Sequence, residues 1–141
     1  MKPTLTTFVF SEDSKDVPNP GGEGASLHII NPQNVFRPPF VPCTYSFSVT
    51  LGLIGLEDTG DHKLEFNIVS PNGDVVLTTG TINLHGKQTT DQSLPKEAHG
   101  LTFNLDFRNV ALREEGKYTG NTLVNGVNVG TIPLWVYAGE N

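Results

Sequence analysis

Four histidines and one cysteine are the residues of this sequence whose chemistry best suits a metal site. His28, His62, His85 and His99 are widely separated, and no pair has the short spacing typical of zinc ligands. Cys43 has no second cysteine with which to complete a ligand set. Histidines distant in sequence can meet in a fold, but the spacing favours ordinary surface or edge-strand histidines. The sequence predicts no metal site.

A short acidic segment offers a second candidate, for calcium. Glu57, Asp58 and Asp61 lie within one predicted hairpin loop, and loop carboxylates can bind Ca²⁺. Calcium takes about six to eight oxygen ligands, usually drawn from more than one loop. We therefore favour a solvated turn over a calcium site.

Nucleophilic and phosphate-binding motifs are the next possibility. Cys43 follows Pro42 at the start of the most regular alternating segment, so burial as a small apolar side chain is favoured over reactivity. No strand-to-helix elbow that presents a nucleophile is visible. The glycines of residues 21–24 precede a predicted strand rather than a helix, which favours a flexible loop over a phosphate cradle. We expect a protein that is not an enzyme and carries no cofactor.

Two groups of residues could contact a partner. Phe36, Arg37 and Phe40 lie in a proline-rich segment that could bind as an extended ligand, although a stiff crossover with both phenylalanines closing the core is favoured. Trp135 and Tyr137 point the same way from the last predicted strand. They form either an exposed aromatic patch or a surface covered by the first loop. The patch is the main reason to expect self-association.

Arginines supply an alternative, small-molecule function. Arg37, Arg108 and Arg113 are the three arginines of the chain, and a guanidinium can meet a phosphate while an aromatic ring stacks on a base. This pattern is compatible with a protein that binds or sequesters a nucleotide-like signal.

Alternation of apolar and polar residues is the strongest structural signal, and it predicts antiparallel strands with one buried face. Residues 45–53, 64–68, 101–107 and 132–136 alternate most clearly, and weaker strands are predicted over 5–10, 25–30, 75–84, 117–124 and 127–131. No segment has convincing helical spacing, and Asp91 to His99 is expected to be a loop with at most one turn. We predict one domain, residues 1–141, folded as an all-β, antiparallel, immunoglobulin-like sandwich of about eight strands.

Turn residues support these boundaries. Ser70–Asp74 and Asn125-Gly126 have the composition of hairpin turns, and Glu57–Asp61 is predicted to close a third hairpin. Ser11 to Gly24 and Asn31 to Pro42 are rich in proline, so we expect both to be long connections rather than strand. Their length makes them candidate binding loops.

Composition narrows the possible partners and location. The net charge of −6 comes without a basic stripe, so we expect no nucleic-acid partner. The N-terminal residues lack the apolar run of a signal peptide, and Leu51 to Leu56, interrupted by glycine, is far too short to cross a bilayer. Together with the unpaired Cys43, these features predict a cytoplasmic protein without a membrane segment.

Several motifs resemble a known family. Glu114 to Tyr118 is similar to the corner of immunoglobulin-like sandwiches, in which a tyrosine hydroxyl bonds to upstream backbone. The chain after residue 25 resembles a family of small uncharacterised bacterial or phage β-sandwich proteins. The residues that carry this resemblance are 36–42, 47–49, 62–64, 70–73, 103–105, 115–118 and 132–136. The resemblance implies fold and prokaryotic or phage origin, and it implies no activity.

Taken together, the residues favour a non-enzymatic interaction module. We expect it to bind a protein partner or copies of itself through loops and an edge or aromatic patch. Small-molecule binding is the alternative.

Overall fold

The fold is built almost entirely from β-strands. The computed structural model describes residues 3–56, 61–84 and 93–139. A single 3-10 turn, Lys96–Ala98, falls in the segment predicted to hold at most one turn. The strands are β1 (Thr4–Pro18), β2 (Ala25–Gln33), β3 (Val35–Phe36), β4 (Cys43–Ile54), β5 (Lys63–Val69), β6 (Val75–Thr78), β7 (Ile82–Asn83), β8 (Gly100–Leu112), β9 (Gly116–Val124) and β10 (Val127–Val136).

These strands form two sheets. Sheet A has the order β2-β1-β4-β8, and all its pairs are antiparallel. Sheet B has the order β3-β10-β9-β5-β6, with β7 also pairing β5, and its β3–β10 pair is parallel. The all-β prediction is confirmed. The described residues contain ten strands rather than about eight, and the sheets are not wholly antiparallel.

The core lies between the sheets and follows the predicted alternation. Phe47 and Leu51 of β4, Phe66 of β5 and Leu134 of β10 are each at most 2% exposed. Phe103 of β8 is half-buried and packs against the same cluster. Apolar burial of this kind contributes about 1.5–3 kcal/mol for each fully buried large side chain. The interior predicted for the four clearest strands is therefore present.

Two segments predicted as connections contain strand. β1 continues to Pro18 and pairs with β2 from Phe10↔Gln33 to Pro18↔Ala25, and β3 lies inside the Asn31 to Pro42 segment. Pro18 ends its strand, and Pro32 lies on β2, which is an edge strand where a missing N–H can be tolerated. The prolines therefore permit strand where the sequence predicted loop.

The β1–β2 hairpin crosses the outer face of sheet A. Ser14 of β1 accepts a 2.8 Å hydrogen bond from Asn104 Nδ2, although Asn104 belongs to β8, two strands away from β1. Ser48 and Thr50 of the intervening β4 alternate with core residues and so face outward, yet each is 1% exposed. The hairpin therefore covers part of the outer face of sheet A.

Hairpin turns follow the predicted chemistry at two of three places. Asn125 and Gly126 join β9 to β10 with φ values of 53° and 81°, as a two-residue turn with two positive φ angles requires. The Ser70–Asp74 turn closes through the Ser70 and Asp74 backbones. Residues 57–60 of the third predicted turn lie outside the described residues. β4 and β5 belong to different sheets, so the segment between them is a crossover and not a hairpin.

Candidate functional site

Trp135 and Tyr137 form an exposed aromatic pair on the outer face of sheet B. Leu134 and Val136 are 1% and 0% exposed, so alternation along β10 turns the two aromatic rings outward. Trp135 is 40% exposed and Tyr137 42% exposed. The ring centroids are 6.4 Å apart with planes 12° from parallel.

An apolar strand borders this pair. Val35 of β3 pairs with Trp135 in the parallel ladder and is 38% exposed. On the other side, Lys117 of β9 is the cross-strand partner of Trp135. We call Val35, Trp135 and Tyr137 the aromatic patch. The patch lies at the β3 edge of sheet B, and its immediate polar neighbour on β9 is basic.

Arg37 has a structural contact beside the patch. Its Nη2 atom donates a 3.0 Å hydrogen bond to the carbonyl oxygen of Ala138. The backbone of this segment also accepts from β10 and its extension, with Tyr137 N to Phe36 O at 3.1 Å and Gly139 N to Pro38 O at 2.7 Å. Arg37 thus helps hold the backbone that carries Tyr137, which positions the patch.

The two phenylalanines of the proline-rich segment have different surroundings. Phe36 is fully buried, with its ring centroid 4.6 Å from that of Tyr45 and 4.9 Å from that of Phe47. Phe40 is 66% exposed, so the expectation that it closes the core is wrong. Phe36 is a core residue, whereas Phe40 is available at the surface.

The three arginines do not converge. Arg37 contacts Ala138, and Arg108 is exposed beside Asn109, which adopts a φ of 54° at a β8 bulge. Arg113 lines a cavity of about 450 Å³, which we call the corner cleft. Arg37 and Arg108 do not line this cleft. The lining residues of the corner cleft are Ser70, Asn72, Asp74, Val75, Val76, Ala111, Arg113, Glu114 and Tyr118.

Tyr118 forms the inner wall of the corner cleft. Its side chain is fully buried, and its hydroxyl donates a 2.7 Å hydrogen bond to the carbonyl oxygen of Glu114. Burial raises the pKa of Tyr118, and the hydrogen bond to Glu114 opposes that rise. The bond expected from the sequence is therefore present. The cleft itself was not predicted, because it joins the Ser70–Asp74 turn of one sheet to residues at the end of a strand of the other.

The candidate metal ligands that the structure describes do not form a metal-binding group. No group of three or more histidine, cysteine, aspartate or glutamate side chains within 3–56, 61–84 and 93–139 is placed to hold a metal. The Nδ1 atom of His62 lies 3.2 Å from Asn125 Nδ2, and His99 Nε2 lies 3.1 Å from the Leu94 carbonyl oxygen. His85, Glu57 and Asp58 lie outside the described residues.

Cys43 fits the apolar role assigned to it. It is half-buried at the start of β4 and packs against the core cluster. Burial raises the pKa of its thiol. A raised pKa lowers the thiolate fraction at neutral pH, which is unfavourable for a nucleophile.

Comparison with known proteins places this architecture in a family. The model of a family of unknown function, DUF6941, matches residues 24–137. The chain belongs to this family. DUF6941 membership agrees with the resemblance to an uncharacterised family that the turns and alternating strands indicate. No curated protein matches the chain.

Solved structures also show a distant likeness. One of them is the Pseudomonas fluorescens alkylpurine DNA glycosylase AlkC bound to DNA containing an abasic site analog, with 14% sequence identity and a TM-score of 0.44. The match covers 74% of this DUF6941 chain and 28% of the glycosylase chain.

No helix in the described part of this chain is long and apolar enough to span a membrane.

Proposed function

We propose that this DUF6941 protein is a non-enzymatic interaction module that binds a second copy of itself, or another protein, through the aromatic patch. The observation that carries the proposal is the outward orientation of Trp135 and Tyr137, both about two-fifths exposed, beside the exposed Val35. Tryptophan and tyrosine are enriched among residues that contribute most to protein–protein binding. Burying such rings on association removes apolar area from water.

A second copy is the simplest partner because the patch can oppose itself. The net charge of −6 makes copies of the chain repel one another in general. The cross-strand neighbours of Trp135, however, are Val35 and Lys117. The Glu115 carboxylate beside Tyr137 accepts a 2.8 Å hydrogen bond from Ala138 N, so it is engaged within its own chain. A two-fold pair of patches would bury the same residues on both copies.

Light scattering after size-exclusion chromatography tests the proposal. We expect the wild-type chain to show a concentration-dependent rise in mass, and the double variant Trp135→Ala, Tyr137→Ala to remain monomeric. Val75→Ala is the matched control, since Val75 is 62% exposed but lies on β6. Pulldown with the immobilised chain tests whether a different protein is the partner. A monomer that retrieves no protein dependent on Trp135 and Tyr137 contradicts the proposal.

We also propose a topology, a cellular location and an origin for this protein. We propose that the sandwich has immunoglobulin-like topology, supported by the Tyr118 hydroxyl bonding to Glu114 upstream. A cytoplasmic location is supported by the single cysteine of the chain. Bacterial or phage origin is supported by the family resemblance of its turns and strands.

Small-molecule binding is a second candidate function, favoured by the corner cleft. Its volume of about 450 Å³ lies within the range of ligand sites, and it contains Arg113. Neither Arg37 nor Arg108 lines the corner cleft. Thermal unfolding in the presence of a panel of small molecules tests this function, because a ligand that binds the folded state raises the melting temperature.

A further inference from the structure

The corner cleft holds opposite charges that do not pair with each other. Arg113, Asp74 and Glu114 all line the cavity. Among the described residues, Arg113 forms no ion pair with either carboxylate. A guanidinium and two carboxylates around one open volume leave room for a ligand that carries both signs of charge.

An apolar wall completes the cleft. Val75 and Val76 of β6 and Ala111 near the end of β8 contribute apolar surface, and Val75 is 62% exposed. A ligand with an apolar group would cover this surface and remove it from water. Ser70 already accepts a 3.2 Å hydrogen bond at its Oγ atom from Asp74 N, which fixes the turn that carries Asp74.

Contacts within the fold fix the walls of the corner cleft. Tyr118 is fully buried and bonds to the Glu114 carbonyl, which fixes the chain between β8 and β9. A Cβ atom added at Gly116 would lie 3.1 Å from Pro71 Cγ, so the Ser70–Asp74 turn and the start of β9 are in close contact. The segment that carries Arg113 and Glu114 and the turn that carries Asp74 are therefore fixed with respect to each other.

The charge balance argues against a nucleotide in this cleft. One cationic residue and two acidic residues line the cleft, so a phosphate chain would be attracted by Arg113 but repelled by Asp74 and Glu114. A compound with one carboxylate and one ammonium group matches both signs. We propose that the corner cleft binds a small zwitterion, an α-amino acid with an apolar side chain, which rests on the small-molecule function considered above. The carboxylate bonds to Arg113, the ammonium group faces Asp74 and Glu114, and the side chain packs on Val75 and Val76.

Isothermal titration of the full chain with matched compounds tests this assignment. Leucine carries both charges, N-acetylleucine lacks the ammonium group, and leucinamide lacks the carboxylate. We expect leucine to bind and each analogue to bind at least about tenfold more weakly, since each loses one charged contact. Inorganic phosphate and ATP are expected not to compete with leucine.

Two variants and a control locate the binding. Arg113→Gln and Asp74→Asn are exposed substitutions that are each expected to weaken leucine binding about tenfold or more. Arg108→Gln removes an exposed arginine outside the cleft and is expected to leave binding unchanged. Equal binding of leucine and N-acetylleucine, or leucine binding that survives Arg113→Gln, overturns the proposal. If ATP binds in a manner that depends on Arg113 and leucine does not bind, the zwitterion proposal is overturned but small-molecule binding is supported. If none of these compounds binds, both the zwitterion proposal and the small-molecule function lose support.

Discussion

The hydroxyl of Tyr118 donates a 2.7 Å hydrogen bond to the carbonyl oxygen of Glu114, four residues upstream. The bond ties the start of β9 to the segment that follows β8, and so links sheet B to sheet A at one end of the sandwich. The same end carries the corner cleft, and β9 pairs there with the part of β10 that holds Trp135. The stability of both candidate surfaces therefore depends on this corner.

Removing the Tyr118 hydroxyl is expected to destabilise the fold. Tyr118→Phe keeps the ring but leaves the Glu114 carbonyl without this donor, which costs about 1–2 kcal/mol of unfolding free energy. Urea unfolding measures the change. Tyr137→Phe is the control, because Tyr137 is 42% exposed and its substitution is expected to change stability by less than about 0.5 kcal/mol. Equal stability of wild type and Tyr118→Phe would refute the structural role of the bond.

Stability is expected to fall at alkaline pH. Burial raises the pKa of Tyr118 and of Tyr45 above 10.0, so the folded state keeps these protons when the unfolded chain begins to lose them. Their contribution is fully present below pH 10 and is lost as the pH rises through the folded-state pKa values. Urea unfolding between about pH 8 and about pH 11 measures the decline.

Tyr118→Phe supplies the check on that pH dependence. The variant cannot ionise at residue 118, so the decline above pH 10 should be shallower than in the wild type, with the remainder reflecting Tyr45 among other groups. A decline of identical slope in both proteins would show that Tyr118 titrates alike in the folded and unfolded chains.

Gly100 is expected to tolerate no side chain. A Cβ atom at this position would overlap the carbonyl group of Leu53, a backbone group of the paired strand β4. Gly100→Ala must therefore separate β4 from β8, at a cost of more than about 2 kcal/mol. Gly126→Ala meets no atom within 4 Å but has a φ of 81°, so it measures the backbone cost alone, about 1 kcal/mol. Chemical denaturation in which Gly100→Ala costs no more than Gly126→Ala would contradict the close approach.

The β1–β2 hairpin is expected to be energetically coupled to β8. A double-mutant cycle with Ser14→Ala and Asn104→Ala should give a coupling free energy of about 0.5–1.5 kcal/mol, since their 2.8 Å hydrogen bond is shielded by the hairpin. The exposed 3.2 Å bond from Asn31 to Glu12, within the hairpin, is the control pair and is expected to give less. Strictly additive effects at Ser14 and Asn104 would mean that the hairpin does not pack on sheet A in solution.

Alternation along the strands predicted much of the architecture and one candidate surface. Because successive side chains point to opposite faces, burial of Leu134 and Val136 requires Trp135 and Tyr137 to face outward. The turn at Asn125-Gly126 was also predictable, because its conformation depends on the residues of the turn itself.

Features that depend on contacts between distant residues were not predictable in this way. Proline-rich composition around Pro18 and Pro32 indicated loop, but an edge strand tolerates proline, and the pairing of β1 with β2 depends on tertiary context. The hydrogen bond from Asn104 to Ser14 shows that the β1–β2 hairpin lies across the outer face of sheet A. The corner cleft likewise combines Asp74, in a turn of sheet B, with Arg113, in the connection from sheet A to sheet B, so no local spacing predicts it.

Fluorescence quenching of Trp135 reports directly on association through the aromatic patch, because Trp135 is the single tryptophan of the chain and lies in that patch. Acrylamide quenching would be measured across a protein concentration series. We expect quenching to fall as copies associate, and Tyr137→Ala to restore the high quenching of the dilute protein. Quenching that stays unchanged at every concentration, and on addition of any protein captured by the immobilised chain, would show that the aromatic patch is not an interaction surface.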